Sequence, residues 1–212
     1  MCGRFYIQSM DIDELRKVIE EIQRHAKETG EEELKVKLGE IAPSNIVPVI
    51  ANDKNGKATP SLMKWGFRRP DGGSNINARS ESVFDVPMFS AAIKSHRCLI
   101  PAEHFYEWLH KSKKESIKYE IKADGEPYLF MAGIYRFEKA SRVPVFTILT
   151  KAPAPNIAFI HDRQPVLIPR ELHKEWLASS GDPQKVLREA NVPVICKETK
   201  DMPDGPVQIS FL

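Results

Sequence analysis

The chain of 212 residues is poor in cysteine and has no long apolar run. Its three cysteines, Cys2, Cys98 and Cys196, form an odd, scattered set with no C-x-x-C or Cys–His ligand spacing. This argues against a disulfide-stapled scaffold and a structural zinc site, and it points to a reducing compartment. No apolar stretch reaches the ~18 residues that a spanning helix needs. The opening MCGRFYIQ lacks the apolar core of a signal peptide, so a cytoplasmic location and no membrane partner are expected. The phosphate-binding GxxxxGK[ST] and GxGxxG patterns are missing, as are HExxH and GxSxG. The six histidines show no metal-ligand spacing, so neither a metal nor a cofactor is expected. Charge of one sign is also lacking: 31 basic residues stand against 29 acidic ones, for a net +2. Net charge alone therefore does not mark a nucleic-acid binder, although a local basic groove remains compatible with it.

The length suits one domain with a sizeable core. Apolar residues at Ile12, Leu15, Ile19, Ile22 and Ala26, with Asp11 as cap and Gly30 as stop, predict an amphipathic helix. A charged loop follows over 28–37. The run Ile46-Val47-Pro48-Val49-Ile50 is β-rich, and Pro48 suggests an edge strand. Asn52 to Gly56 (NDKNG) is a hairpin signal, returning through Leu62 to Phe67. Further strands are expected at 5–8, 97–100, 105–108, 117–122, 128–136, 144–150, 166–168, 192–196 and 207–211, the central ones as an antiparallel meander. Helices are expected at 87–96, 154–160, 171–178 and 183–190. The fold class is therefore α+β: a single domain over 1–212 with a strand-rich centre and peripheral helices.

The chemistry begins at Cys2. Aminopeptidases remove an initiator methionine when a small residue follows, so the mature chain is expected to start at Cys2. That residue would carry an α-amine beside its thiol. An α-amine with a pKa of about 7.7–8.0 is roughly a quarter to a third free base at pH 7.4, about 300-fold more than a lysine. Such an amine attacks aldehydes to give an imine, and the neighbouring thiol can close a five-membered thiazolidine on the same carbon. Second-position cysteines are also common without any such role.

Three further places hold candidate chemistry. Glu107 lies between aromatics in Phe105-Tyr106-Glu107-Trp108. Burial there would raise its pKa toward neutrality, whereas the opposite strand face would leave it in solvent. His161 sits in a dense polar run, His161-Asp162-Arg163-Gln164-Pro165, that reads either as a contact loop or as a structural turn. Asn77 and Arg79 share a face if 75–80 is extended, where an amide and a guanidinium could orient a substrate and grip a phosphate, or simply close a turn and a surface ion pair.

Met1-Cys2-Gly3-Arg4-Phe5, Ala42-Pro43-Ser44, Trp65-Gly66, Ile76-Asn77-Ala78-Arg79 with Glu81, Arg97-Cys98-Leu99-Ile100-Pro101-Ala102 running to Trp108, and His161 to Pro165 occur in this order. Together they resemble the SRAP family (SOS response-associated peptidase domain, or abasic-site processing proteins). The motifs extend to about residue 178, leaving 179–212 as a C-terminal extension.

The resemblance implies a twisted, mainly antiparallel, barrel-like sheet. It implies a monomer that binds single-stranded DNA at abasic sites and crosslinks to it through Cys2 as a thiazolidine. It also implies autopeptidase and lyase activity, in a DNA-damage (SOS) context. Cys2 would be the nucleophile, Glu107 and His161 would move protons, and Asn77 would position the reacting groups. Arg4, Arg79 and Arg163 would contact phosphates, and Pro43 would line the groove. Where the family usually has Gly, this chain has His104, a second imidazole expected near Glu107. Where family members often carry loop aromatics, it has Phe67-Arg68-Arg69-Pro70-Asp71-Gly72-Gly73. That implies weaker base stacking and more electrostatic grip from Arg68 and Arg69.

The alternative is an N-terminal-nucleophile hydrolase such as a class II glutamine amidotransferase, which also begins Met-Cys-Gly. Arg4 and the HDRQP segment argue against it. A third reading is a single-strand DNA-binding module without catalysis.

Overall fold

A computed structural model describes residues 2–8, 36–112 and 115–199. The helix expected over 12–26, most of the charged loop after it and the strand expected at 207–211 lie outside the described residues.

Fourteen strands are described, in two main sheets and a small hairpin. The first sheet has the order β14-β10-β9-β1-β2. It comprises β1 (Arg4–Ile7), β2 (Gly39–Ile41), β9 (His104–His110), β10 (Ser116–Ala123) and β14 (Val194–Thr199), all antiparallel. The second sheet closes on itself. β11 (Leu129–Arg136) pairs β8 (Arg97–Ala102), β8 pairs β3 (Ile46–Asn52), and β3 pairs β4 (Ala58–Trp65). β4 then pairs β12 (Val145–Lys151), and β12 returns to β11. Only the β4–β12 contact in this ring is parallel. Closure removes the exposed edges that an open sheet of this size would present.

Three barrel strands, β8, β11 and β12, are buried on both faces, and their sequences show why. β8 reads RCLIPA, with all six residues buried. Its Cys98 and Ile100 face the core shared with Phe5, Phe105 and Ile121 of the first sheet. Its Leu99 faces a second core, where Phe89 and Ile93 of α1 (Pro87–Ser95) and Trp176 of α2 (His173–Leu177) pack. Alternate residues point to opposite faces, so a strand between two layers must be apolar throughout. α3 (Pro183–Glu189) closes the second core with Val186, and Asp182 caps it by accepting from the amides of Gln184 and Lys185.

Several expectations change: 154–160 holds a 3-10 turn, Pro155–Ile157, rather than a helix, and the strand expected at 166–168 lies at Gln164–Pro165 instead. β3 is an interior strand rather than an edge. Its pairing with β8 is confined to Ile50 and Ala51, so Pro48 falls where the strand has only β4 as a neighbour and no ladder bond is lost on the other side. The meander breaks after β10, because β11 leaves the first sheet to enter the barrel. Toward the C-terminal end of the described residues, β14 forms a six-residue ladder with β10.

The segment of small strands that carries the site is held by local devices. The chain turns at Ala42 to Asn45, with Ser44 at φ 72° and Asn45 Oδ1 accepting from the Ala42 amide at 2.9 Å. β5 (Phe67–Arg68) and β6 (Ser74–Asn75) form a hairpin around the RRPDGG loop. Gly66, at φ 118°, lets that hairpin fold against itself, since a Cβ there would stand 2.1 Å from Ser74 Oγ. The indole N–H of Trp65 donates to the Ile76 carbonyl at 2.9 Å. That bond fixes the entry to β7 (Asn77–Arg79), which pairs in parallel with β12.

Candidate active site

Cys2 lies just before β1 and is fully buried in the core between the sheets. Its thiol makes a weak contact to the Arg4 carbonyl at 3.7 Å. Burial pushes the thiol well above its ordinary pKa, and the nearby Glu107 charge pushes it further. The sulfur is therefore a neutral thiol at pH 7, not a free-standing thiolate.

Asn77 is the direct anchor. Its Nδ2 donates to the Cys2 carbonyl at 2.9 Å. Its Oδ1 is buried and accepts no hydrogen bond among the described residues. β7 is extended, with Ala78 buried and Asn77 and Arg79 on the opposite side. The shared face read from the sequence is therefore present, and Arg79 is exposed at its outer end.

Glu107 faces inward and is 4% exposed. Of the two faces open to it from sequence, β9 gives it the desolvated one. Tyr106 and Trp108 lie on the other side of the strand. Burial raises the Glu107 carboxyl above the ordinary carboxylate range, which makes it a group able to hold or release a proton near neutrality.

His161 follows the turn 154–160 and is partly exposed. The Arg163 amide donates to its Nδ1 at 3.0 Å, while Asp162 Oδ1 lies 2.8 Å from the same nitrogen. Both cannot be satisfied at once. The backbone donor is fixed, whereas the Asp162 side chain is 81% exposed and free to swing, so the neutral ring with its proton on Nε2 is favoured. Desolvation also lowers the His161 pKa, consistent with a neutral imidazole at pH 7.

The expected phosphate contacts divide. Arg163 grips Glu81 with two bonds of 2.7 and 2.8 Å and also donates to the Thr150 carbonyl at 2.6 Å. In this state it is a structural tie that secures the His161 loop to β12. Arg4 pairs with Glu40 at 3.2 Å, and Arg69 pairs with Asp71 at 2.7 Å. Arg68 and Arg79 are exposed and have no ion-pair partner among the described residues. Pro43 sits in the turn beside Ser44 and is partly exposed.

His104 is not near Glu107. It lies on the opposite face of β9, stacked on Tyr6 at 4.9 Å and bonded to the Tyr106 hydroxyl at 2.9 Å. Three residues along a strand reverse the side, which is why proximity in sequence misleads here. His104 also has no positive φ. Cys98 is buried and Cys196 is half-buried. The Arg163–Glu81 tie was not legible in advance, because its partners are 82 residues apart. Among the described residues no group of three or more His, Cys, Asp or Glu is placed to hold a metal, and no helix is long and apolar enough to cross a membrane.

A family profile described as SOS response associated peptidase (SRAP) matches residues 1–202. The chain belongs to the SRAP family. It is 34% identical over 146 residues to the abasic site processing protein YoaM of Bacillus subtilis, covering 65% of this chain and 64% of YoaM. It is 29% identical over 181 residues to the abasic site processing protein YedK of Escherichia coli, covering 84% and 79% of the two chains. The chain thus spans a little under two thirds of the length of YoaM. Among solved structures, a Bacteroides thetaiotaomicron protein superposes with a TM-score of 0.71 at 19% identity, covering 99% of this chain and 100% of that one. A phage-related protein of Bordetella bronchiseptica gives 0.70 at 21%, covering 94% and 95%. These last two likenesses concern the fold: a strand-rich α+β domain with few helices and a twisted sheet.

Proposed function

We propose that this SRAP chain captures abasic sites in single-stranded DNA as a thiazolidine on Cys2 once Met1 has been removed. One observation carries the reading: Asn77 pins the Cys2 carbonyl at 2.9 Å while the buried Glu107 is close enough to raise the Cys2 thiol. A merely decorative cysteine needs neither contact. The names of its relatives, abasic site processing proteins, point the same way.

The steps balance without a co-reactant. The sugar of an abasic site is in equilibrium with an open-chain C1′ aldehyde. The Cys2 amine adds to that carbon and water leaves, giving an imine. The thiol then adds across the C=N bond: a C–S bond forms, and the thiol proton ends on nitrogen. Glu107, with its raised carboxyl pKa, supplies the proton for dehydration and relays the thiol proton to nitrogen. The His161 Nε2 proton is suited to the sugar oxygen during ring opening. Asn77 Oδ1 is an available acceptor for a substrate hydroxyl. A lesion in a single strand needs no base flipping, and arginine contacts to phosphates, with Arg68 and Arg79 the best exposed, make the binding largely independent of sequence.

The test is a denaturing gel of the Met1-processed protein with a single-stranded oligonucleotide carrying one abasic site. A heat-stable shifted band that is lost with Cys2→Ser is expected. No band from processed protein, or release of ammonia from glutamine in a Cys2-dependent manner, would count against the reading.

A further inference from the structure

Phe159 is 53% exposed, one of three large apolar side chains left in solvent among the described residues. Its place is not arbitrary. It is two residues before His161, on the turn that begins with the 3-10 segment Pro155–Ile157. Ile157 and Ile160 of that turn are buried in the core between the sheets. They anchor the segment, and Ile160 pointing inward leaves both Phe159 and His161 directed outward. The turn is tied again by Asn156 Nδ2, which donates to the Val194 carbonyl at 2.6 Å.

Phe159 meets one ring, that of Tyr119, edge to face, with centroids 5.5 Å apart and planes at 88°. Tyr119 is the direct cross-strand partner of Glu107. A chain of contacts therefore runs from the buried carboxylate through Tyr119 to a held but open phenyl ring at the edge of the site. In an edge-to-face pair each ring keeps a face available, and the contact restricts the rotamers that a lone surface Phe would explore. Ordering of the ring before a ligand arrives lowers the entropy lost on stacking.

The surroundings select what lands there. Glu198 is the cross-strand partner of Tyr119 and is exposed, and Asp162 is 81% exposed beside His161. Residues 153–161 contain no lysine or arginine. The lysines of β10, Lys118 and Lys122, belong to the opposite face of the strand from Tyr119. The patch is apolar with carboxylates near it, so it repels a phosphate and suits the uncharged face of a nucleobase.

We propose that Phe159, braced by Tyr119, is the stacking platform for a base flanking the lesion on the His161 side. This rests on the proposed capture at Cys2. It also supplies an aromatic surface that the RRPDGG hairpin does not. Stacking on a π-face is tolerant of sequence, so the residue would set the position of the strand rather than its sequence.

The experiment uses single-stranded oligonucleotides in which a fluorescent purine analogue, quenched on stacking, replaces the neighbour on one or the other side of the abasic site. Non-covalent affinity is measured in a Cys2→Ala background. Quenching is expected on one flank only. Phe159→Ala should abolish it and weaken binding by about 10-fold. Phe159→Leu should behave like Phe159→Ala, because it keeps apolar area but has no ring, and Phe159→Trp should restore both signals. Because Phe159 is largely exposed, these variants keep the fold. Equal quenching and equal affinity in the Phe159→Ala protein would overturn the assignment. So would full function in Phe159→Leu, which would mark a plain apolar contact. If the protein with intact Cys2 gives no crosslink, the capture reading fails, while the quenching comparison still decides the role of Phe159.

Discussion

Glu107 joins a proposed role in the chemistry to a stability cost. Its carboxyl is raised by burial, so the folded protein holds its proton at pH values where the unfolded chain has released it. The folded state then binds more protons than the unfolded one, and stability falls as pH rises from the ordinary carboxylate value through the raised one. In that same window the group is poised to transfer a proton. Glu107→Gln should flatten this decline in an unfolding series against pH. It should also slow crosslinking at least about 100-fold at neutral pH, as loss of a general acid–base group does, and remove the inflection that the carboxyl imposes on the rate profile. An unchanged crosslinking rate would remove Glu107 from the proton-transfer role. The sequence left both strand faces open to this carboxylate, and only the pairing of β9 chose the buried one. Arg163 was the opposite case. Its guanidinium reads as a phosphate contact in isolation, and nothing local announces that Glu81 and Thr150 already hold it.

At the scale of the element, local pattern predicted strands and helices well wherever burial and periodicity agreed. The helix read over 87–96 is α1, Pro87–Ser95, and the NDKNG hairpin is present, with Asp53 Oδ1 accepting from the amides of Asn55 and Lys57. What local pattern could not carry was partnership. Pro48 suggested an edge because a proline removes a donor, yet β3 is interior and its second partner simply begins two residues later. Gly133 shows a constraint that appears only after the strands are paired. It lies on β11 between β8 and β12, where a Cβ would stand 2.4 Å from Ile100 Cδ1 and 2.9 Å from Cys98 Sγ. Gly133→Ala should therefore destabilise the protein by about 1–3 kcal/mol through overpacking, seen as a Tm several degrees lower. A neutral effect would mean that the Ile100 side chain rotates away freely.

For the whole molecule, closure of the barrel is the organising event. β12 pairs with β4, β7, β11 and β13 (Gln164–Pro165), and through β7 and β13 it brings Asn77 and the His161 loop to the same region. The first sheet supplies Cys2 before β1 and Glu107 on β9, which pair along Arg4 to Tyr6. The four candidate residues thus come from four separated segments, joined by long-range ladders, by the Asn77–Cys2 bond and by the Arg163–Glu81 tie. The sequence motifs named these residues without indicating this route, because the β1–β9 and β7–β12 ladders link positions more than 70 residues apart.

Under the proposed capture at Cys2, that dispersal would make the reaction a reporter of integrity. An aminothiol on a short peptide reacts with aldehydes by itself, but any acceleration over that background would exist only while both sheets are assembled. Raising denaturant should therefore collapse the excess crosslinking rate along the same curve as the fluorescence of the buried Trp65 and Trp176. A chain damaged anywhere in the barrel would leave lesions uncaptured rather than captured wrongly. Its quality control would be built into its chemistry.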